Sequence, residues 1–408
     1  MSAPHAAVKT PRLGRILGLP AVLNGLALLG LLNWPVSEWR ADRISEGVLH
    51  YWLESWYTDS WTAGMAMPWS DQRTGMLAVS ALWLFFALLN SIKSPLRTLA
   101  SVGLLWTPLL VITLLSGDVA TTTRISLSSG FWAFAALTSV AALTGVAGQL
   151  KPLQQAALVV VAVGVLGYGL SHELWSHLSV VREWRAQEDL FARAVWEHVC
   201  LATTTTVAAA VVAIPLAMWL YRYPTNLGLV LHFIHTIPSL ALFGLLMLPL
   251  AMLAHAVPTL ADWGVHGIGV APAWCALFLY GLLPMYTTTV NGLQNIDPAV
   301  IEAARGMGLN AWQRLWSIEL PLARASLIGA VSVTLVQLMG LATIAALIGG
   351  GGLGTLVFNG IGQNAPDLVL LGTLAIVFLS LVVQFLLPLP PHSRPVPEID
   401  SRAHIEQR

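Results

Sequence analysis

Asp297-Pro298-Ala299-Val300-Ile301-Glu302-Ala303-Ala304-Arg305-Gly306-Met307-Gly308-Leu309-Asn310-Ala311-Trp312-Gln313-Arg314-Leu315-Trp316-Ser317-Ile318-Glu319-Leu320-Pro321 is a polar island between long apolar runs. Asp297 can cap a short helix, and Pro298 suits its first position. Gly306 and Gly308 should end that helix, because glycine in a helix interior costs ~1 kcal/mol against alanine. Asn310 with Gln313 three residues on forms a capping-box pattern and should start a second short helix. Pro321 should allow little continuation beyond it. The expectation is two short helices joined at a glycine corner outside the bilayer. Ala303 and Ala304 would let another surface approach closely, and Glu302 would offer it a charge.

The flanking sequence sets the class. The chain has 408 residues, of which 56% are hydrophobic and 10% charged. Soluble domains carry about 25% charged residues, so the composition is that of a membrane protein. The formal net charge is zero, which argues against a nucleic-acid partner. Apolar runs of spanning length, roughly 18–25 residues, fall near 16–34, 76–92, 98–116, 130–149 and 153–171. They resume near 198–221, 227–254, 269–292, 323–348 and 366–389. The expected fold is an all-α polytopic membrane protein with about ten transmembrane helices. Lys9, Arg12 and Arg15 precede the first run without a convincing cleavage site, so that run reads as an uncleaved span.

Basic residues favour the cytoplasmic side. With the N-terminus inside, the inner segments hold Lys9, Arg12, Arg15, Lys93, Arg97, Lys151, Arg222, Arg305, Arg314, Arg324, Arg394, Arg402 and Arg408. The outer segments hold Arg40, Arg43, Arg73, Arg124, Arg182, Arg185 and Arg193. Both termini and the 293–322 loop then lie in the cytoplasm. The expected layout is a membrane region at 1–171, a periplasmic linker at 172–197, a second membrane region at 198–389 and a cytoplasmic tail at 390–408.

The first outer loop holds Trp34, Trp39, Trp52, Trp56, Trp61 and Trp69. Interfacial anchoring is the ordinary reading of such residues, and an aromatic cage for a quaternary ammonium group is the sharper one. The mixed charges of 172–197 read as a helix or linker with a solvated surface. His172, Glu173 and His177 lack the spacing that puts two imidazoles on one helical face. His232 and His235 do share a face, where they would satisfy local hydrogen bonds or line a path. Cys200 and Cys275 sit in apolar runs and read as small core residues. No metal site is expected.

No Lys, Arg, Asp or Glu falls clearly inside a span, which counts against an ion-coupled carrier. None of the three lysines follows glycine, so a phosphate-binding loop is absent, and if the chain transports a solute actively the energy must come from another polypeptide. Neither a nucleophile–base set nor paired carboxylates stands out, so an enzyme is not expected. Thr203 to Thr206, Ser239, Thr287 to Thr289, Thr334, Gln337 and Thr343 are uncharged polar groups at membrane depth. Most such hydroxyls bond within their helix or to a neighbour. His235, Ser239, Thr334 and Gln337 are the candidates for a translocation path. Gly349, Gly350, Gly351, Gly352 and Gly354 offer backbone freedom at a bend and are candidates for an outer gate.

The island resembles the EAA loop of ABC importer permeases. That pattern is Glu-Ala-Ala, three free residues, Gly, nine free residues, Ile, one free residue, Leu-Pro. Glu302, Ala303, Ala304, Gly308, Ile318, Leu320 and Pro321 fill every fixed position. The second half resembles a five-helix ABC importer permease core. Thr236 to Gly244, Leu283 to Thr289 and Ile348 to Gly354 make it most similar to the osmoprotectant permeases. The resemblance implies an importer of glycine betaine, choline or carnitine, in the inner membrane, working by alternating access. It implies a separate ATPase docked on the 293–322 loop, a periplasmic binding protein and a second permease subunit, itself or a paralogue. ATP would bind the partner ATPase, with no cofactor in this chain. An ABC permease for another polar solute such as an amino acid, and a secondary carrier, are the alternative readings. The first five runs have no counterpart in the short osmoprotectant permeases.

Overall fold

The computed structural model describes residues 19–40, 48–52, 69–91, 97–115, 123–146, 152–223 and 226–387. Trp56, Trp61 and the terminal basic residues Lys9, Arg12, Arg15, Arg394, Arg402 and Arg408 lie outside these residues. The chain divides into two compact units, Met1–Glu188 with Gly360–Leu371, and Asp189–Asn359 with Gly372–Arg408.

The first unit contains α1 (Leu19–Asn33), β1 (Pro35–Arg40), β2 (Val48–Tyr51), α2 (Trp69–Ser91), α3 (Arg97–Leu115), β3 (Arg124–Leu127), α4 (Ser129–Val146), α5 (Pro152–Ser171) and α6 (Ser179–Ala186). Helices α1, α2, α3 and α4 share a core of Trp83, Leu104, Phe131 and Phe134. Buried amides and hydroxyls stitch these helices together. Trp83 Nε1 donates to Thr138 Oγ1 at 3.3 Å, Asn90 Nδ2 to the Ala141 carbonyl at 3.0 Å and Ser101 Oγ to Asn90 Oδ1 at 3.0 Å. Polar bridges of this kind hold helices where lipid removes the usual apolar driving force.

Three short antiparallel strands in the order β2-β1-β3 were not expected. Adjacent residues are buried in β1 (Val36, Ser37) and in β3 (Ile125, Ser126), so neither strand has the alternation that betrays a strand in sequence. Trp52 follows β2 and is 3% exposed in the helical core. For that residue neither interfacial anchoring nor an open aromatic cage holds.

The second unit contains α7 (Glu188–Leu220), α8 (Leu227–Thr236), α9 (Ser239–Ala256), α10 (Pro258–Asp262), α11 (Val270–Gln294), α12 (Pro298–Gly306), α13 (Ala311–Arg314), α14 (Leu320–Ala345), α15 (Gly354–Gly362) and α16 (Pro366–Leu386). The first residue of α7 and parts of α15 and α16 group with the first unit. Helices α7, α11 and α14 pack through small residues. A Cβ built on Gly281 would lie 3.1 Å from Ala209 Cβ and 3.3 Å from Thr334 Cγ2. Ala209, Ala213 and Ala217 recur every fourth residue on the buried face of α7. Such stripes let helix backbones approach closely inside a membrane.

Among the described residues five helices are long and apolar enough to cross a bilayer: Glu188–Leu220, Ser239–Ala256, Val270–Gln294, Ala311–Ile348 and Pro366–Gln384. These five are the second-half spans of the ten expected. Helices also form where the first five runs were read, at Leu19–Asn33, Trp69–Ser91, Arg97–Leu115, Ser129–Val146 and Pro152–Ser171.

Two further expectations need correction. The run 227–254 is not one helix but α8 and α9, broken at Ile237-Pro238. Pro238 has no N–H to donate and pushes Ile237 into extended backbone, φ −64° and ψ 128°. The second short helix also does not stop at Pro321. It continues through one π-helical stretch, Leu315–Glu319, into α14 as a single rod. The Leu320 N–H bonds the Leu315 carbonyl, and the α ladder restarts there. Pro321 follows the widened turn directly, as the second residue of the α-helical segment that restarts at Leu320.

Candidate functional site

The island folds as an elbow built by local capping. Asp297 Oδ1 accepts from the Ala299 N–H at 2.8 Å, opening α12 with Pro298 in its first turn. Gly308 has φ +80° and ends it. The Gly308 N–H bonds the Arg305 carbonyl at 2.9 Å, and the Leu309 N–H bonds the Ala304 carbonyl at 3.3 Å. That pair of bonds is a Schellman turn, whose left-handed residue is normally glycine. Asn310 Oδ1 then accepts from the Gln313 N–H at 2.8 Å, and Gln313 Oε1 accepts from the Asn310 N–H at 3.0 Å. The foreseen capping box is present.

The elbow displays Glu302, Ala303, Gly308 and Pro321 to solvent. Ile318 and Leu320 are half-buried. Ala304 is 0% exposed, so its methyl group packs inward rather than meeting another surface. Sequence reasoning passed over Met307, Trp312 and Trp316, which are 70%, 67% and 52% exposed. The two indoles meet edge to face with centroids 5.5 Å apart. Their signal was large apolar residues inside an otherwise polar island. Together with Glu302 and the exposed Arg305 they give the elbow a largely apolar exposed surface.

Beneath the elbow lies an ion cluster that the sequence did not announce. Glu319 is 1% exposed although it ends the π-helical stretch. Its Oε1 accepts from Arg314 Nε at 2.8 Å and from Arg222 Nη2 at 2.6 Å. Its Oε2 accepts from the Tyr221 hydroxyl, which also accepts from Arg222 Nε. In a π-helix the ladder closes between residues five apart, so Arg314 and Glu319 stack on one face. An α-helix would instead align residues three or four apart. Burial, and then the bond to Glu319, push the Tyr221 phenol up to about 12, so it remains a donor at ordinary pH. Gln294 Nε2, at the end of α11, donates to the Tyr221 carbonyl at 3.2 Å. The reading that spans carry no charge therefore needs amendment: the rod from Ala311 brings a buried carboxylate to its end.

The candidate path residues are distributed around α11. His235 stands edge-on to Tyr280 with ring centroids 5.2 Å apart. The Tyr280 hydroxyl donates to the Ile237 carbonyl at the α8–α9 break. Ser239 opens α9 on the other side of that break and is half-buried. Thr334 is fully buried against Gly281, and its Oγ1 has no hydrogen-bond partner. Gln337 is half-buried on α14. The structure thus brings His235 and Thr334 to consecutive residues of α11, Tyr280 and Gly281. Thr203 to Thr206, Thr287 and Thr289 all return their hydroxyls to carbonyls of their own helix.

The glycine run closes over the start of α7. Gly349 is exposed, Gly351 is half-buried, and Gly350, Gly352 and Gly354 are buried. Gly352 has φ +82°, and its N–H donates to Glu197 Oε2 at 2.9 Å. A Cβ there would meet His198 Nδ1 at 3.1 Å. His198 is itself 0% exposed and donates from Nε2 to the Met339 carbonyl at 2.9 Å. A cleft of about 330 Å³ beside the run is lined by Trp196, Glu197, Cys200, Thr204, Trp274 and Gly351, among others. From Glu197 to Tyr221 the chain advances roughly 36 Å at helical rise. That is close to the thickness of a bilayer's hydrocarbon core, about 30 Å. The elbow and the glycine run thus lie at opposite ends of α7.

Residues 199–389 match the family model described as "Binding-protein-dependent transport system inner membrane component". The chain is 37% identical over 199 residues to the osmoprotectant import permease protein OsmW of Salmonella typhimurium, covering 48% of this chain and 87% of that one. It is 34% identical over 195 residues to the carnitine transport permease protein OpuCB of Listeria monocytogenes, covering 47% and 82%. It is 30% identical over 191 residues to the glycine betaine/carnitine/choline transport system permease protein OpuCB of Bacillus subtilis, covering 47% and 82%. Every one of these matches falls on the half that carries the elbow, its ion cluster and the glycine run. The chain belongs to the family of binding-protein-dependent transport system inner membrane components, as a non-enzymatic, multi-pass permease subunit.

Proposed function

We propose that this permease admits a small quaternary-ammonium osmoprotectant, such as glycine betaine or choline, driven by an ATPase docked on the elbow. Family membership supplies the general scheme of an ATP-hydrolysing partner and a solute-binding partner. The solute class rests on the relatives, whose names specify osmoprotectant, carnitine, choline and glycine betaine. The observation that carries the docking reading is the elbow's exposed face of Glu302, Ala303, Met307, Trp312 and Trp316, held in shape by two caps and a Schellman turn. An apolar patch rimmed by polar groups is the usual mark of a protein partner.

In this scheme the elbow and both termini face the cytoplasm, in agreement with the Lys and Arg distribution. A periplasmic binding protein delivers the solute to the opposite end, where Gly349 to Gly354 act as the outer gate. Two permease subunits, identical or paralogous, enclose the path. His235 and Ser239 line it where α8 and α9 part, since irregular backbone at membrane depth is tolerated where it is buried or lines a wet cavity. Gln337 faces it from α14, and the buried Thr334 backs that wall against Gly281. ATP is bound by the partner, with no cofactor in this chain.

The test is uptake of labelled glycine betaine and labelled choline by cells co-expressing the ATPase and the binding protein. Glu302→Lys is expected to abolish both capture of the ATPase and uptake while leaving the permease in the membrane. Normal capture and normal uptake by that variant would defeat the docking reading. Uptake of neither compound by an assembled wild-type complex would defeat the solute assignment.

A further inference from the structure

Docking alone does not explain how movement of the elbow reaches α7. The elbow is continuous with α14 through α13 and the π-helical stretch, so a push on it displaces α14 directly. Helix α7 ends far earlier in the chain, yet Tyr221 and Arg222, the two residues after it, hold Glu319 at the root of α14. Gln294 adds the end of α11 to the same knot through the Tyr221 carbonyl. At its other end α7 carries Glu197, which holds the Gly352 N–H.

We propose that Glu319, gripped by Tyr221, Arg222 and Arg314, is the joint that passes displacement of the elbow to α7 and along it to the glycine run. Three observations converge on this assignment. The carboxylate is 1% exposed and its partner Arg222 only partly so, at 29%, which makes the contact a strong, directional one. The π-helical stretch aims Arg314 and Glu319 at the same point, and such stretches concentrate at functional positions. An apolar plug of similar volume would serve stability as well as buried charges do, so the ionic form is explained by its fixed geometry. Tyr221, Arg222 and Arg314 act through Glu319 as positioning residues; none is assigned contact with solute or nucleotide.

This inference rests on the elbow being the docking site. Its test uses the complete complex in vesicles and reads solute moved per ATP hydrolysed. Arg222→Met should leave ATPase capture at the wild-type level and lower that ratio by about fivefold or more, the lower end of ordinary coupling between sites. Tyr221→Phe, which removes a single hydroxyl, should lower it less. Arg222→Lys, which can reach Glu319 but not Tyr221 at the same time, should recover part of the loss. An unchanged ratio in both Arg222→Met and Tyr221→Phe would overturn the joint, even if less complex accumulated, because that pattern is a static brace. Loss of the docking reading looks different: Glu302→Lys would then still capture the ATPase.

Discussion

At Gly308 one backbone angle decides whether the elbow bends. Its φ of +80° closes the Schellman turn between α12 and the capping box at Asn310. No heavy atom beyond its chain neighbours lies within 4 Å of a Cβ built there, so the constraint is conformational rather than steric. A β-branched residue held in the left-handed region costs ~1–3 kcal/mol. Gly308→Val should therefore lower ATPase capture in a pulldown, and Gly308→Asn, which tolerates that region, should restore most of it. A wild-type pulldown from the valine variant would count against the corner's role. The caps around Gly308 were legible in the sequence because each joins residues two to five apart. Glu319 was not legible as an anchor, because its partners Tyr221 and Arg222 lie 98 and 97 residues away. Removing one partner from a buried ion pair costs about 3–5 kcal/mol. Glu319→Ala should accordingly lower the melting temperature in detergent far more than Glu302→Ala, whose side chain is exposed.

At the scale of elements, apolar length placed the helices, and proline chemistry decided where two of them departed from that reading. Runs of spanning length fixed α7, α11, α14 and α16 to within a few residues at most ends, since a bilayer demands that length. Composition could not show that Pro238 interrupts its run while Pro215, Pro249 and Pro284 remain inside α7, α9 and α11. The difference lies in a remote partner: the Tyr280 hydroxyl takes up the Ile237 carbonyl that the break leaves free. Tyr280→Phe strands that carbonyl, a loss of about 1–3 kcal/mol for a buried polar group. The expected result is slower solute uptake with normal ATPase capture, read by transport in vesicles beside a pulldown. Unaltered uptake would remove the break from the path. The strands escaped detection for the opposite reason, being too short and too irregular in burial to carry a period.

For the molecule as a whole, the two compact units do not follow chain order. Residues 360–371 group with the first unit, where Ser126 Oγ donates to Asp367 Oδ2 at 2.9 Å. Asp367 is 8% exposed, so the bond satisfies a carboxylate largely removed from water. A chain lacking residues 1–171 loses Ser126 and should melt at a lower temperature than the full chain. Asp367→Asn should regain part of that loss in the shortened chain and not in the full one, as thermal unfolding in detergent would report. Equal melting of both shortened forms would show that Ser126 contributes nothing there. The five apolar runs of the first half gave the positions of its helices from sequence, but the borrowing of 360–371 crosses 241 positions of chain and leaves no local signature. The widened turn at Leu315–Glu319 carries a consequence of its own. It amounts to one surplus residue in an otherwise regular helix, so trimming Ser317 would return the stretch to common pitch. Everything from Leu320 onward could keep its seat, while Trp312, Met307 and Glu302 would swing by roughly 100° about the axis. A single codon thus sets the compass bearing of the elbow's exposed indoles and carboxylate.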